Sequence, residues 1–178
     1  MSGLPVEVEL TIRLVVAALV GAVVGLEREV HAHPAGLRTQ ILVAVGSAVF
    51  TILSYQGFLA VPGGASADPT RIASQVVSGI GFLGAGAILK DGMTIRGLTT
   101  AASLWGSAAL GMAAAVGAYW LAGAGTLIVL ISLWALRPVA DRLSGARRET
   151  VTMVRLELAA LVALETARAA MADAGLEL

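Results

Sequence analysis

The sequence predicts an all-α multi-pass membrane bundle of about five transmembrane helices, N-terminus outside and C-terminus inside, with a short C-terminal β-α segment. Three observations favour this fold. The 178 residues are 57% hydrophobic and 13% charged, with a mean hydropathy of +0.86, whereas soluble domains are about 45–50% apolar and about 25% charged. Polar residues divide the chain into five windows, each near the roughly 20 residues that cross a bilayer. Basic residues concentrate in alternate connections.

The five windows cover about residues 6–26, 40–61, 70–89, 98–116 and 119–137. Asp68 and Pro69 are expected to form the N-cap and the first position of the third helix. Only small residues link the fourth and fifth windows, which predicts a tight helical hairpin. The third window is the weakest by hydropathy, because it contains Arg71, Ser74, Gln75 and several glycines.

The distribution of charge supports five spans. With the N-terminus outside, the outer connections carry only Arg71, and the inner segments carry Arg28, Arg38, Lys90, Arg96, Arg137, Arg142, Arg147 and Arg148. Without the third span, Arg71, Lys90 and Arg96 would share one loop, and the asymmetry would disappear. Arg13 lies about two turns inside the first window, where we expect it to snorkel to the outer interface or to face the bundle. The first window is too long for a cleavable signal peptide and is expected to remain as an anchor.

A different pattern begins at residue 151. Apolar and polar side chains alternate over residues 154–158, which is typical of a strand. Residues 159–174 have the apolar stripe of a helix, with Gly175 as a C-terminal cap, and residues 176–178 could begin a second strand. The predicted domains are therefore a transmembrane domain (1–137), a cytoplasmic linker (138–150) and a partial β-α tail (151–178). Because one strand and one helix cannot bury their own apolar faces, the tail is expected to belong to a truncated domain or to dock on a partner or the membrane surface.

Composition argues against several classes of function. Twelve basic and twelve acidic residues balance, which speaks against a nucleic-acid partner, and zero cysteines exclude disulfides, thiolate metal sites and cysteine nucleophiles. No arrangement of nucleophile, base and orienting group is recognisable, so we expect no catalytic residues, no cofactor and no enzyme activity. Residues 79–84 match the dinucleotide fingerprint in letters, but they lack its preceding strand and its distal acidic residue.

Small and polar residues of the membrane windows point to helix contacts. Glycines that are expected to bring helices close together are Gly21, Gly25, Gly79, Gly81, Gly84 and Gly86. Polar side chains share one face of the third helix at Arg71, Ser74, Gln75 and Ser78. This row has two interpretations: a polar groove or ion path, or interhelical hydrogen bonds that hold the bundle together.

A charged set is predicted at the inner face: Glu27, Arg28, Glu29, Arg38, Lys90, Asp91 and Arg96. One hypothesis is that Glu27, Glu29 and Asp91 supply oxygen ligands for a divalent ion. The interleaved basic residues favour the other hypothesis, in which salt-bridged loops set the topology. His31 and His33 lie on the same loop without a third ligand nearby and are predicted to be solvated.

Several short blocks carry a family resemblance. They are Gly-Leu-Glu-Arg-Glu at 25–29, Gly-Leu-Arg-Thr at 36–39, the long stretch 68–86, and Gly-Leu-Thr-Thr-Ala-Ala at 97–102 with Trp105 after it. In these blocks the chain resembles the MgtC/SapB family of bacterial membrane proteins. The resemblance implies a multi-pass protein of the bacterial cytoplasmic membrane, linked to growth at low magnesium and to survival inside phagocytes. It also implies that the tail is the start of an ACT-like domain.

The resemblance further implies a role and a set of positions. Members are regarded as regulators rather than transporters, and at least one is thought to bind the membrane part of ATP synthase. By position, the implied functional residues are Glu27, Arg28, Arg38, Asp68, Arg71, Gln75 and Thr99. Thr99 stands where some members have asparagine, so their virulence role need not transfer to this chain.

Three hypotheses for function follow. The first is a non-enzymatic regulator that contacts another membrane complex such as ATP synthase, with the lipid bilayer and a second copy of the chain as further partners. The alternative is a transporter or channel for magnesium or another cation, lined by Arg71, Gln75 and Ser78. The third is a ligand sensor that works through residues 151–178.

Overall fold

The structure is a computed structural model that describes residues 5–59, 68–91, 94–135 and 162–166. Its elements are α1 (Val6–Val30), α2 (Leu37–Leu59), α3 (Arg71–Ala87), β1 (Leu89–Asp91), β2 (Thr94–Arg96), α4 (Leu98–Ala115) and α5 (Tyr119–Trp134). The chain divides into two compact units, Met1–Ser132 and Leu133–Leu178. In the second unit, residues 162–166 are helical.

The structure confirms a mostly helical chain, with one helix in each of the five predicted windows. Within the described part of the chain, two helices are long and apolar enough to cross a membrane, α1 over Val6–Val30 and α2 over Leu37–Gln56, while α5 is apolar but shorter. In the tail, residues 162–166 fall inside the helix predicted at 159–174. The strands predicted around that helix and the cap at Gly175 lie outside the described residues.

Helices α1, α2 and α4 pack with their backbones close together. A Cβ atom added at Gly21 would lie 2.8 Å from the backbone oxygen of Gln40, and one at Gly25 would lie 2.7 Å from the Cα atom of Leu37. On α4, a Cβ atom at Gly111 would collide with the backbone of Ala44. Glycine at these positions therefore lets α1 and α4 approach α2 more closely than any side chain would permit.

Helix α3 packs on α4 through one face only. Its buried residues are Ala73, Ile80 and Gly84, and Ile80 forms an apolar cluster with Leu104 and Ala108 of α4. These three α3 residues lie within a narrow range of angles around the helix axis, since seven and four residues separate them. The opposite face of α3 is exposed.

Two helices end in the same hydrogen-bonded motif. At the end of α1, the N–H of Ala32 donates to the carbonyl of Glu29 at 3.0 Å and the N–H of His33 donates to that of Arg28 at 2.9 Å. At the end of α4, Gly117 and Ala118 make the equivalent pair of bonds at 3.0 Å each. Both motifs are Schellman caps, which require a left-handed residue after the C-cap. The second creates the tight turn between α4 and α5.

The start of α3 differs from the sequence prediction. Its N-cap is Thr70 rather than Asp68, and the helix begins at Arg71. Asp68 instead accepts hydrogen bonds from the Thr70 N–H at 2.8 Å and the Thr70 hydroxyl at 2.7 Å. The first free N–H groups of α3 are satisfied from α2, because Ile72 and Ala73 donate to the Ser54 hydroxyl oxygen at 3.2 and 3.1 Å. This capping across helices does not depend on Asp68.

A second difference is the antiparallel hairpin of β1 and β2, where the sequence predicted only a charged break. Leu89 pairs with Arg96, Lys90 with Ile95 and Asp91 with Thr94. The hairpin leads into Gly97, the N-cap of α4, whose φ of 87° is in the left-handed region. Glycine adopts this conformation at little cost.

Candidate functional site

Buried polar side chains connect the C-terminal end of α1 to the N-terminal ends of α2 and α4. Arg28 is only 3% exposed, and its Nη2 donates to Thr100 Oγ1 at 2.8 Å. Gln40 is fully buried, and its Nε2 donates to Ser103 Oγ at 3.0 Å and to the Ala35 carbonyl at 3.1 Å. Ser103 in turn donates to the carbonyl of Thr100 at 2.8 Å. We call Arg28, Gln40, Thr100 and Ser103 the polar core.

Electrostatics explains why Arg28 is tolerated there. A buried guanidinium is costly unless hydrogen bonds replace its water shell, and a bond to a charged group contributes about 1.5–3 kcal/mol. Arg28 also lies in the last turn of α1, where the helix dipole favours positive charge. Through the Arg28–Thr100 and Gln40–Ser103 bonds, the polar core links the ends of α1, α2 and α4.

The sequence predicts Arg28 among the charges of the inner face, whereas in the structure its side chain is buried. Helix α1 continues to Val30, one turn beyond the predicted end of the first span. Arg28 therefore stays on the helical face that contains the buried residues Gly21 and Val24. Its charge points into the protein rather than to a partner surface.

The other inner-face charges have separate placements. Glu29 accepts a hydrogen bond from the Leu37 N–H at 3.0 Å, which ties the loop to the start of α2. Glu27 Oε1 lies 3.3 Å from His31 Nδ1. The side chains of three basic residues are exposed: Arg38, Lys90 and Arg96. Asp91 ends β1, and its side chain lies outside the described part of the structure.

The predicted divalent-ion site consists of Glu27, Glu29 and Asp91. Glu27 has a partner in His31, directly after α1, and Glu29 has one in the first N–H of α2. Among the side chains that the structure describes, which do not include that of Asp91, no group of three or more His, Asp and Glu is placed to hold a metal ion. His31 is exposed as predicted, whereas His33 is partly buried, with its ring centroid 6.4 Å from that of His31.

The polar row predicted on the third span lies on the exposed face of α3. The side chains of Arg71, Ser74, Gln75 and Ser78 are all exposed, opposite the face that packs on α4. Ser74 donates to the Arg71 carbonyl at 2.9 Å. Thr99 is also exposed, in the first turn of α4, although its neighbour Thr100 is buried. None of these five residues belongs to the polar core.

A groove of about 620 Å³ lies between α2 and α3. Its walls are largely apolar and include Phe50 of α2 and Leu83 of α3. Gln75 and Ser47 contribute polar atoms to it, and Gly79 forms part of its α3 wall. The groove is continuous with the exposed face of α3.

The predicted packing glycines divide into two groups. Gly21 and Gly25 lie against α2, and a Cβ atom at Gly84 would contact the Ala101 side chain at 3.6 Å. The second group faces open space within this chain: Gly79, Gly81 and Gly86. The first group shapes the fold of the single chain, whereas the second leaves part of α3 free for close approach.

Arg13 contacts the opposite end of α4. Its Nη1 donates to the Ala115 carbonyl at 2.8 Å, and it forms an ion pair with Glu9 one turn earlier on α1. An arginine that bonds the last carbonyls of a helix satisfies free acceptors and complements the helix dipole. Of the two positions expected for Arg13, the structure shows the one that faces the bundle.

Outside the helices, one carboxyl group has a shifted pKa. The hydroxyl and then the N–H of Thr70 donate to Asp68, and these bonds, with a smaller contribution from Arg71, lower the pKa of Asp68 below its ordinary value of 3.8. Asp68 is exposed, so the charged form remains hydrated. The carboxylate orders the turn that leads into α3.

Sequence reasoning did not single out Gln40 or Ser103. Gln40 served only to mark the start of the second span, and Thr100 appeared only within a sequence block. The signal that could have identified Gln40 is its side-chain amide. An amide at the start of an apolar helix needs a hydrogen-bond partner from protein or water. Which neighbour it finds depends on the crossing of α2 and α4.

The chain is similar to known proteins over most of its helical region. The chain matches the MgtC family over residues 14–142. It is 46% identical to "Protein MgtC" of Salmonella typhimurium over 134 residues, which is 75% of this chain and 54% of that protein. It is 46% identical to "Uncharacterized protein slr0014" of Synechocystis over 132 residues, 74% of this chain and 54% of that protein. The "Putative magnesium transporter YhiD" of Escherichia coli is 44% identical over 137 residues, 76% of this chain and 64% of that protein.

No solved structure matches the chain. The chain spans about half the length of the MgtC and slr0014 relatives. The matched region nevertheless contains α2 to α5, most of α1 and all of the polar core. This coverage and these identities establish that the chain belongs to the MgtC family.

Proposed function

We propose that the protein is a non-enzymatic membrane regulator that supports adaptation to low magnesium or host stress by contacting other membrane complexes such as ATP synthase. In this proposal five helices cross the bacterial cytoplasmic membrane, with the N-terminus outside and the C-terminus inside. The apolar lengths of α1 and α2 support the membrane location. The name of one relative, the "Putative magnesium transporter YhiD" of Escherichia coli, supports a link to magnesium.

The observation that carries the proposal is the polar core. Donor groups of Arg28, Gln40 and Ser103 bond to acceptors of the protein itself, which is typical of a structural core. The amide oxygen of Gln40 is buried without a hydrogen-bond partner among the described residues. The positive charge of Arg28 also raises the electrostatic cost of bringing Mg²⁺ between α1, α2 and α4. The exposed charges Arg38, Lys90 and Arg96 are available at the same end of these helices for contact with an anionic partner surface.

The five-span arrangement is tested first by labelling, which the absence of native cysteine makes simple. Thr70→Cys precedes α3 and Ile95→Cys lies in β2, and both positions are exposed. A membrane-impermeant maleimide is expected to label Thr70→Cys in intact spheroplasts and Ile95→Cys only after permeabilisation. The reverse pattern, or labelling of both from outside, would overturn the proposed topology.

The regulatory role is tested by crosslinking and purification from native membranes. The protein is expected to recover a stoichiometric membrane partner, identified by mass spectrometry. An Arg38→Glu, Lys90→Glu and Arg96→Glu variant should reduce recovery at least tenfold. The control Glu7→Arg, an exposed charge at the start of α1, should leave recovery unchanged. Recovery of the chain only with itself would contradict the regulator proposal.

A second candidate function is magnesium transport. The name of the Escherichia coli relative favours it, as does Gln75 in the groove between α2 and α3. Magnesium flux into proteoliposomes with an entrapped indicator separates the two functions. Flux that depends on purified protein and is lost in Gln75→Ala would support transport and displace the regulator proposal.

A further inference from the structure

The exposed face of α3 has the spacing of a helix-pairing surface. Arg71, Gln75, Ser78, Phe82 and Ala85 are separated by four, three, four and three residues, and all five are exposed. We call these five residues the α3 seam. Alternating steps of four and three give a period of 3.5 residues, which keeps one row of side chains facing a second helix.

The seam lies opposite the surface that α3 uses within its own chain. Ala73, Ile80 and Gly84 form the buried face of α3, about half a turn away from Gln75 and Ser78, and Ile80 and Gly84 contact α4. Phe82 is 84% exposed, and Cβ atoms added at Gly81 and Gly86 beside the seam would meet nothing within 4 Å. Among the described residues, no contact covers the seam, and the space beside the flanking glycines is open.

A lipid environment is unsuited to this face. In the five-span arrangement proposed above, on which this inference rests, Gln75 and Ser78 lie within the bilayer. Polar side chains at that depth face protein or water rather than hydrocarbon. In the membrane the polar part of the seam therefore faces protein or water.

We infer that the surface covering the seam is the α3 seam of a second copy, paired in parallel about a two-fold axis. A two-fold axis places each residue opposite itself. Gln75 fits this requirement because an amide carries both a donor and an acceptor and so bonds to a second amide in both directions. The hydroxyl of Ser78 likewise both donates and accepts.

The charges at the start of α3 complement one another in the same pairing. Arg71 would repel its own copy, but Asp68 lies one turn earlier and is exposed. A guanidinium that reaches past the start of the partner's α3 meets Asp68 of the second copy in the turn before that helix, so the two copies form reciprocal ion pairs at the membrane edge. Gly81 and Ala85, further along, allow the backbones to approach closely.

Cysteine crosslinking in native membranes tests the pairing, since the chain has no cysteine of its own. Ser78→Cys places a thiol in the seam, and Val77→Cys, its exposed neighbour at the same depth, is the matched control. With copper phenanthroline, Ser78→Cys is expected to form a disulfide dimer at least fivefold more efficiently than Val77→Cys. Equal efficiency, or a crosslink to a protein of different mass, would overturn the inference.

A second measurement reports the role of Gln75. In detergent micelles, energy transfer between labelled copies should show a dimer dissociation constant raised about 3- to 30-fold by Gln75→Leu. Gln75→Asn keeps the amide and should raise it less. A dissociation constant unchanged by Gln75→Leu would contradict the pairing.

Labelling separates this inference from the topology on which it rests. If α3 does not span the membrane, a membrane-impermeant maleimide will label Ser78→Cys from one side. If α3 spans but the pairing is wrong, Ser78→Cys will be protected and will not crosslink preferentially.

Discussion

The guanidinium of Arg28, in the last turn of α1, donates a 2.8 Å hydrogen bond to the hydroxyl of Thr100 in the first turn of α4, and both residues are buried. Two segments that are distant in sequence are thus joined through one charged hydrogen bond. Together with the Gln40–Ser103 bond, it determines how α1, α2 and α4 meet.

Thr100→Val should destabilise the protein by about 1–3 kcal/mol, because it removes the hydroxyl that compensates part of the desolvation of Arg28. Thr99→Val is the matched control, since Thr99 is the exposed neighbour and should change stability by less than about 0.5 kcal/mol. Reversible unfolding in mixed micelles measures both. Equal effects of the two variants would show that the Arg28–Thr100 bond contributes little.

Gly97→Ala should be strongly destabilising, by about 2 kcal/mol or more. Gly97 has a φ of 87°, and a Cβ atom there would collide with the carbonyl of Ala87. Gly123→Ala serves as the control, because a Cβ atom at this helical position meets nothing within 4 Å and alanine favours the helix by about 0.5–1 kcal/mol. The two variants should therefore shift the unfolding midpoint in opposite directions.

Ala32→Gly should stabilise the protein by about 0.5–1 kcal/mol. Ala32 occupies the left-handed position of the α1 cap, with a φ of 53°, where glycine lacks the steric penalty of a Cβ atom. The same substitution in a helix, Ala109→Gly on the exposed side of α4, should instead cost about 1 kcal/mol. A loss of stability in Ala32→Gly would contradict the assigned cap.

The Asp68 turn should make stability depend on acid pH. The pKa of Asp68 is lowered in the folded protein, so its contribution is present above the ordinary value of 3.8 and is lost as the pH falls through the lower folded value. Asp68→Asn retains an acceptor for Thr70 but removes the charge. Its unfolding temperature should fall below that of the wild type near neutral pH, and the two should converge as the pH falls below the folded pKa of Asp68. A constant difference across this range would exclude the charge as the cause.

The positions of the helices were predictable because the physical signal is local. An apolar run bounded by charges or turn residues needs no knowledge of its neighbours, and all five predicted windows contain helices. The hairpin of β1 and β2 was not predictable in the same way, since each strand is only three residues long and depends on pairing with the other. The N-cap of α3 was misplaced because Ser54, on another helix, satisfies its first N–H groups.

The sequence by itself determined the membrane-like composition, the helical windows and the residue blocks that characterise the family. Only the tertiary structure decided which polar residues are interior, because that depends on helix rotation and crossing. Arg28 turns inward since α1 continues one turn further than hydropathy indicates, and Gln40 finds Ser103 where α2 and α4 meet. Arg71, Gln75 and Ser78 turn outward because the opposite face of α3 packs on α4. The helical period is known from the sequence, so the sequence shows which polar residues share a face. The direction in which that face points depends on how the helix packs against its neighbours.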